Sequence, residues 1–191
     1  MSILQTPPPA KLVCSIFSQQ ERLISRVADV LSSAYGTIDF ESPVMPFDQT
    51  SYYEPEFGDS LKRIFMSFTE MVFQDALPEI KHATNKLEQK FSKEGKRQVN
   101  IDPGILTAER LVLATGKNYS HRIYLGRGVY ADLTFIYRKG SFRPLPWTYP
   151  DYVSREVIEF WNNVRKSYLK GFREARALHN PMAEGVSNNP T

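Results

Sequence analysis

The sequence has little of several residue types, and each shortage excludes a class of protein. It contains one cysteine, Cys14, which excludes an internal disulfide and an all-cysteine metal cluster. With three histidines, His82, His121 and His179, a zinc site of standard ligand spacing is not expected. No apolar run approaches the roughly 20 residues that cross a membrane, and the first residues do not resemble a signal peptide. We therefore expect a cytoplasmic protein that does not bind a membrane.

Sequence motifs that would identify a mechanism are also missing. The chain contains neither the G-x-x-x-x-G-K-[ST] loop nor a G-x-G-x-x-G segment at the start of a helix, so the two common phosphate-binding loops are excluded. The G-x-S-x-G and H-E-x-x-H signatures of hydrolases do not occur either. Gly126-Arg127-Gly128 lies between two predicted strands and is interpreted as a turn. The sequence therefore leaves open whether the protein is an enzyme, and it predicts no particular cofactor.

The overall composition is that of a folded domain. Of the 191 residues, 41% are hydrophobic and 24% are charged, close to the globular average. A chain of this length buries enough surface to fold without a disulfide or a metal ion. Pro7-Pro8-Pro9 predicts a flexible lead-in over residues 1–10, and a polar end predicts a disordered tail over residues 179–191. We therefore expect one domain over residues 11–178.

The two halves of the chain differ in charge. Residues 1–95 carry 9 Lys and Arg against 13 Asp and Glu, a net charge of −4. Residues 96–191 carry 15 against 8, a net charge of +7. An excess of cations favours contact with a phosphate, a nucleotide or a nucleic acid. A helix with a solvated basic face explains the same numbers, and both interpretations stay open.

Apolar periodicity predicts an α+β fold with a mixed or antiparallel sheet and three or four helices. In the first half it predicts strands over residues 12–17 and 62–71. A helix follows a capping box at Ser18-Gln19-Gln20-Glu21, and a second helix covers residues 75–93. Residues 37–47 are predicted to be extended. This order is that of a ferredoxin-like unit.

The second half predicts a meander followed by a long helix. Gln98 to Gly104 is interpreted as a short strand that ends in an Asp-Pro-Gly turn, while residues 108–114 fit a short helix or a strand equally well. Three runs within residues 122–143 predict a three-stranded meander with tight turns. The last element is a helix from Ser154 to about Leu178, which carries an apolar stripe.

The segment 117–122 is the first candidate site. Lys117 and Arg122 are suited to binding a phosphate or carboxylate, the arginine through a two-pronged contact. Histidine is the residue type best suited to proton transfer near neutral pH, so His121 is a candidate catalytic proton donor or base. The alternative is an ordinary polar loop in which Arg122 pairs with an acid on the next strand.

Three further patches supply candidate residues for the same site. Asp102 is a candidate catalytic residue that would hold a hydroxyl group or Mg²⁺, although its segment also fits a simple turn. Tyr53 and Glu54 would supply a ring and a carboxylate for the ligand, or clamp a loop onto the core. Trp147 and Tyr149 belong to the densest aromatic cluster of the chain and would stack on a ligand, or else cover the core.

Five segments together resemble an uncharacterised prokaryotic family, a domain of unknown function whose members have about this length. The segments are Tyr52-Tyr53-Glu54 with Gly58, Val99-Asn100-Ile101-Asp102-Pro103-Gly104, Leu113-Ala114-Thr115 with Lys117, His121-Arg122-Ile123-Tyr124-Leu125, and Trp147-Thr148-Tyr149-Pro150-Asp151-Tyr152. The resemblance covers about residues 10–172. Some members carry the label GTP-binding protein, which would imply a nucleotide ligand. This chain, however, has neither the Walker loop nor the N-K-x-D guanine motif.

These observations favour one function and leave two alternatives. The leading hypothesis is a protein that binds an anionic small molecule, a nucleotide or a phosphorylated metabolite, in a cleft near residues 117–122; it requires Asp102 and His121 to share that cleft. The first alternative is a non-catalytic nucleic-acid or protein interaction module that uses the basic C-terminal helix. Its cations are Arg165, Lys166, Lys170, Arg173 and Arg176. The second alternative is a homodimer formed through Trp161 and Tyr168 of that helix.

Overall fold

Residues 3–48 and 53–179 are described by the computed structural model, and they form one antiparallel sheet with helices on both faces. The strands are β1 (Ala10–Ser18), β2 (Ile38–Glu41), β3 (Met45–Pro46), β4 (Lys62–Val72), β5 (Asn100–Leu106), β6 (Arg110–Thr115), β7 (Arg122–Gly126), β8 (Val129–Arg138) and β9 (Ser141–Pro144). The helices are α1 (Glu21–Tyr35), α2 (Glu54–Phe57), α3 (Leu77–Lys90) and α4 (Arg155–His179). Two short 3₁₀ helices cover Gln74–Ala76 and Pro150–Tyr152. The predicted α+β class is therefore confirmed.

The strand β1 lies inside the sheet and organises the first half of the chain. All nine of its residues are buried, and it pairs antiparallel with β4 on one side and β5 on the other. Leu12 and Cys14 pack on one face, whereas Val13 packs on the opposite face. A strand that is covered on both faces has a continuous apolar sequence instead of an alternating one. This explains the unbroken run at residues 12–17.

The first half has the ferredoxin-like arrangement that its element order predicts. The sheet runs β2-β4-β1-β5, with α1 connecting β1 to β2 and α3 connecting β4 to β5. The split β-α-β connection of this motif inserts β4 between β1 and β2. The helices α1 and α3 pack on the same face of the sheet, where Leu23, Val27 and Ile80 meet Leu12 and Ile16.

The predicted capping box at the start of α1 is wrong in detail. Ser18 is the last residue of β1, and Gln20 is the residue that precedes the helix, without a side-chain cap. The Ser18 hydroxyl donates instead to the carbonyl of Gln98 at 2.6 Å and accepts from the N–H of Gln20 at 3.1 Å. The hydroxyl therefore ties β1 to the segment before β5.

The helix α4 covers the opposite face of the sheet. Trp161 and Tyr168 are buried there, with 1% and 3% of their surface exposed, against residues such as Phe65 and Phe135. The homodimer hypothesis needs these two side chains to face a second copy, and the sheet of the same chain already covers them. Among the described residues, no helix is both long and apolar enough to cross a membrane.

In the second half, the structure resolves one open alternative and corrects one prediction. The sequence of residues 108–114 fitted either a helix or a strand. The structure shows a strand there, β6, which pairs with both β5 and β8. The segment Asp102-Pro103-Gly104, interpreted as a turn, runs straight through the middle of β5. Its partner is the buried strand β1, with Cys14 opposite Pro103, and this pairing holds the segment extended.

The two hairpins of the predicted meander are confirmed, but its three strands do not lie side by side in chain order. β7 and β9 both pair with β8, but they lie one after the other along the same edge, because β6 occupies the other edge. Between them, Leu133 and Thr134 have no strand partner on that edge. The indole N–H of Trp147 donates to the Leu133 carbonyl at 2.8 Å, and the Thr148 hydroxyl donates to the Thr134 carbonyl at 2.6 Å. The segment after β9 thus fills the gap between the two strands.

Candidate functional site

The strands β5 and β6 separate within the sheet, and this separation makes room for a cleft. The two strands pair only from Gly104 to Leu106, opposite residues 111–113. Proline has no N–H, so Pro103 cannot continue the ladder toward β6. The ladder between β5 and β6 therefore ends at the position that Pro103 occupies.

Side chains from α3 replace the missing strand partner. The backbone N–H of Ile101 donates to the Glu88 carboxylate at 2.6 Å, and the carbonyl of Ile101 accepts from the Lys81 ammonium at 2.9 Å. Both α3 side chains are buried. Because buried backbone groups need partners, these two contacts let β5 leave β6 without an unsatisfied N–H or carbonyl.

The resulting cleft has a volume of about 310 Å³. Its lining comes from strands β4 to β8, from α3, from the loop after β6, from the segment between β9 and α4, and from the segments that carry Phe47, Tyr53 and Arg97. The volume lies at the lower end of the range for small-molecule sites, which is roughly 300–1,000 Å³.

One wall of the cleft is a hydrogen-bonded row on β5 and α3. Asn100 and Asp102 are two positions apart in a strand, so their side chains share a face. The Asn100 amide donates to Asp102 Oδ2 at 2.7 Å, and Lys81 Nζ lies 3.4 Å from Asp102 Oδ1. About 29% of the Asp102 side chain remains exposed to the cleft. The carboxylate is therefore oriented from two sides and still open to a ligand.

Arg97 connects this wall to α2. It forms a two-pronged pair with Glu56, with both N···O distances at 2.7 Å, and it also donates to Glu88 and Asn100. The bond from Arg97 lowers the pKa of Glu56, and the nearby Lys117 charge acts in the same direction. Burial raises the pKa of Glu88, although Lys81 and Arg97 oppose that shift. The cations of this wall therefore stabilise the charged forms of its carboxylates.

Arg122 and Asp132 form the opposite wall. They face each other on β7 and β8, and Arg122 Nε donates to Asp132 Oδ2 at 2.8 Å. The same guanidinium donates to the Lys117 carbonyl at 3.0 Å and to the Tyr149 hydroxyl at 3.2 Å. The expectation that Arg122 pairs with an acid on the next strand is thus met. Arg122 still lines the cleft, together with Lys117 and Tyr149.

His121 and Trp147 lie next to the cleft but are not part of its lining. Their rings stack at a centroid distance of 4.8 Å and an angle of 11°. His121 Nε2 is 3.5 Å from Asp132 Oδ2, which does line the cleft. Trp147 closes the gap between β7 and β9 through its bond to the Leu133 carbonyl, and about 38% of its surface stays exposed.

The aromatic side of the cleft is formed by Tyr53 and its neighbours. The Tyr53 ring lies 4.7 Å from the ring of Phe17 and 5.8 Å from that of Phe47. Burial raises the pKa of the Tyr53 hydroxyl, so Tyr53 is neutral at physiological pH. Glu54 begins α2, but its side chain lies outside the described residues, as does the whole of Tyr52.

A buried ion pair that the sequence analysis missed also borders the cleft. Arg63 of β4 pairs with Asp151, and 6% and 9% of their side chains are exposed. The Arg63 guanidinium lies 3.8 Å from the ring centre of Phe47 and 5.5 Å from that of Tyr152. Aromatic faces stabilise a cation that is removed from water. The 149–152 segment is thereby fixed against the sheet.

Five of the predicted site residues come together in this cleft: Asp102, Lys117, Arg122, Tyr53 and Tyr149. The sequence analysis missed Lys81 and Glu88, which follow the inward residues Ile80 and Leu87 directly along α3. Their position at the border of the apolar stripe was the available signal. Arg63 gave a weaker signal, because it lies on the face of β4 that only α4 reveals as buried.

The fold and this cleft define an α+β protein with a polar cleft between two diverging strands. Residues 8–168 match the family described as a domain of unknown function, DUF4416, and the chain belongs to that family. No curated protein and no solved structure matches the chain. Among the described residues, no three His, Cys, Asp or Glu side chains lie close enough together to hold a metal ion.

Proposed function

We propose that the protein binds a small anionic molecule, a nucleotide or a phosphorylated metabolite, in the cleft between β5 and β6. One observation carries the proposal: Asp102, Lys117, Arg122, Tyr53 and Tyr149, which are distant in the sequence, line one cleft. Small-molecule sites are concave and bring together polar groups that orient the ligand, and this cleft shares both features.

Lys117 and Arg122 are the proposed contacts for the anion. Lys117 is exposed and lines the cleft, so its ammonium reaches a ligand at little cost in desolvation. Arg122 is held in place by Asp132 and Tyr149, which keeps its guanidinium at the same edge. Charge-assisted hydrogen bonds from Lys and Arg to phosphate are among the stronger polar contacts in proteins.

The uncharged part of the ligand is assigned to the other walls. Asp102 accepts hydrogen bonds and would take a ligand hydroxyl, while Tyr53 and Tyr149 provide rings for a flat or apolar group. The expectation that Asp102 and His121 share one cleft is not met, because His121 lies outside the lining. No catalytic step is assigned to His121, and the proposed anion contacts do not depend on it. The proposal therefore concerns binding, and it leaves the question of turnover to experiment.

Thermal denaturation with a panel of compounds tests this proposal. The panel contains nucleoside phosphates, sugar phosphates and inorganic phosphate, each with and without Mg²⁺. A ligand at about 100 times its Kd adds roughly 2.7 kcal/mol to the stability, which raises Tm by about 5–10 °C for a chain of this size. Calorimetry of each positive compound then gives Kd for the wild-type protein and for Lys117→Ala.

We expect Lys117→Ala to weaken binding at least about tenfold, which corresponds to about 1.4 kcal/mol. Lys166→Ala is the matched control, because Lys166 is an exposed lysine on α4 and does not line the cleft. The proposal is wrong if no phosphate compound shifts Tm, or if the two variants change Kd equally.

The nucleic-acid alternative has less support from the described residues. Arg165, one of its five cations, donates to the Ala108 carbonyl at 2.7 Å and lies 3.3 Å over the ring of Tyr137. The side chains of Arg173 and Arg176 lie outside the described residues. Tyr152, in the aromatic segment that precedes this helix, is buried in the core and therefore does not stack on a nucleic-acid base. RNA binding that weakens steeply with salt and is lost in Lys166→Ala would favour this alternative.

A further inference from the structure

The charges that line the cleft nearly cancel, and this limits the charge of the ligand. Five cations and four carboxylates line it. Four of the cations form ion pairs with those four carboxylates, as Arg63–Asp151, Lys81–Asp102, Arg97–Glu88 and Arg122–Asp132. Lys117 is the fifth cation, and the Glu56 carboxylate lies close enough to be affected by its charge.

A cleft of this kind does not neutralise a highly charged ligand. One phosphate monoester carries about −1.5 to −2 charges near pH 7, and each additional phosphate group adds negative charge. Four of the five positive charges are already offset by carboxylates, so the lining has little net positive charge to balance the extra phosphates of a nucleoside triphosphate. The charge balance therefore favours a ligand with a single phosphate group.

The α3 wall has a second feature that can select the ligand, a pair of side-chain carboxamides. Asn85 and Gln89 both line the cleft, and they are four residues apart, so they share a helix face with Lys81. Neither side chain forms a hydrogen bond with another residue in the described part of the chain. A carboxamide offers a donor and an acceptor side by side, which matches the edge of a nucleobase.

We propose that the ligand is a nucleoside monophosphate, with its phosphate at Lys117 and Arg122 and its base edge at Asn85 and Gln89. This inference rests on the proposed function and makes it more specific. Tyr53 and Tyr149 supply rings against which the base can stack, a contact that accepts any base. The cleft accordingly discriminates against the triphosphates of the same nucleosides.

Calorimetry on the full chain tests the inference with five kinds of probe. They are the four ribonucleoside monophosphates, the matching triphosphates with and without Mg²⁺, the nucleosides, ribose 5-phosphate, and inorganic phosphate. We expect at least one monophosphate to bind ten times more tightly than ribose 5-phosphate and than its own triphosphate. Asn85→Ala and Gln89→Ala should each weaken that monophosphate at least fivefold while leaving ribose 5-phosphate unchanged.

The outcomes separate this inference from the broader proposal. Asn163→Ala removes an exposed carboxamide from α4 and should change nothing. If ribose 5-phosphate binds as tightly as every monophosphate, or if a triphosphate binds best, the inference is overturned while anion binding stands. If none of these probes binds but another phosphate compound of the thermal panel does, the inference is wrong and the proposed function stands. If no phosphate compound binds, or if Lys117→Ala leaves the binding unchanged, both are wrong.

Discussion

The carboxylate of Glu88 accepts a hydrogen bond from the backbone N–H of Ile101 at 2.6 Å, where a neighbouring strand would ordinarily supply a carbonyl. Lys81, two helical turns earlier, donates to the carbonyl of the same residue. The helix α3 thus completes the hydrogen bonding of β5 with two side chains. The space that a paired strand would fill becomes the cleft.

The Glu88 contact predicts different effects for two substitutions. Glu88→Ala removes the only partner that the structure gives the buried Ile101 N–H, and we expect a loss of about 1–3 kcal/mol in the free energy of unfolding. Glu88→Gln keeps an oxygen acceptor at the same length and should lose clearly less. Urea denaturation of both variants measures the difference. Equal losses would show that the hydrogen bond to Ile101 is not what Glu88 contributes.

The ion pair of Glu56 with Arg97 should make the free energy of unfolding depend on pH. Because Arg97 lowers the pKa of Glu56 from its ordinary value of 4.5, the carboxylate stabilises the folded state above that value. This contribution is lost as the pH falls through the lowered pKa. We expect Glu56→Gln to be about 1 kcal/mol less stable than the wild type at pH 7, since the pair is about one-third exposed. The difference should shrink toward zero in acid.

Denaturant unfolding at several pH values checks the Glu56 prediction. Glu79→Gln is the control, because Glu79 pairs with Arg127 on the surface with more than half of each side chain exposed. Its effect should be smaller at pH 7. A Glu56→Gln difference that stays constant down to pH 3 would contradict the assignment.

Gly104 lies where β5 and β6 begin to pair, and we expect a larger side chain there to clash with β6. A Cβ atom at this position would lie 2.5 Å from the carbonyl oxygen of Val112 and 2.8 Å from Leu113 Cδ2. Gly104→Ala must therefore push the two strands apart, and we expect a loss of about 1–3 kcal/mol in stability. At Gly116 a Cβ would meet no atom within 4 Å, so Gly116→Ala should change stability little. Similar unfolding midpoints for the two variants would contradict this prediction.

Because Cys14 is buried, we expect its thiol to react slowly with reagents in the native protein. Only 1% of this residue is exposed, and burial raises the pKa of its thiol. We expect a colorimetric thiol reagent to react at least about 100-fold more slowly in native buffer than in denaturant, because reaction requires the core to open. The chain contains one cysteine, so the signal has one source. Rapid reaction of the folded protein would show that this part of the core opens readily.

Local sequence patterns identified most helices and strands correctly. The stripe of apolar residues in α1 and α4 and the apolar run of β1 each result from burial of one helix face or both strand faces. The errors occurred where partners far along the chain decide the outcome. Asp102-Pro103-Gly104 has the composition of a turn, but it is extended because β1 pairs with it.

The same distinction holds for the site. The sequence indicated Lys117, Arg122 and Asp102 as polar residues at the ends of predicted elements. It could not indicate that Lys81 faces Asp102, because that contact depends on how α3 lies across β5. It also suggested His121 as part of the cleft, and the path of β7 places that ring behind Asp132 instead.

The α+β class, the excess of positive charge in the second half and the residue types available for a polar site could all be predicted before the fold was known. These properties depend on composition and on the spacing of neighbouring residues, which fix helix and strand faces locally. The point at which β5 leaves β6, and the charges that pair across that opening, could be seen only in the folded chain. Those features depend on contacts between residues that are distant along the chain, and such contacts form only when the sheet and its two helical layers are assembled.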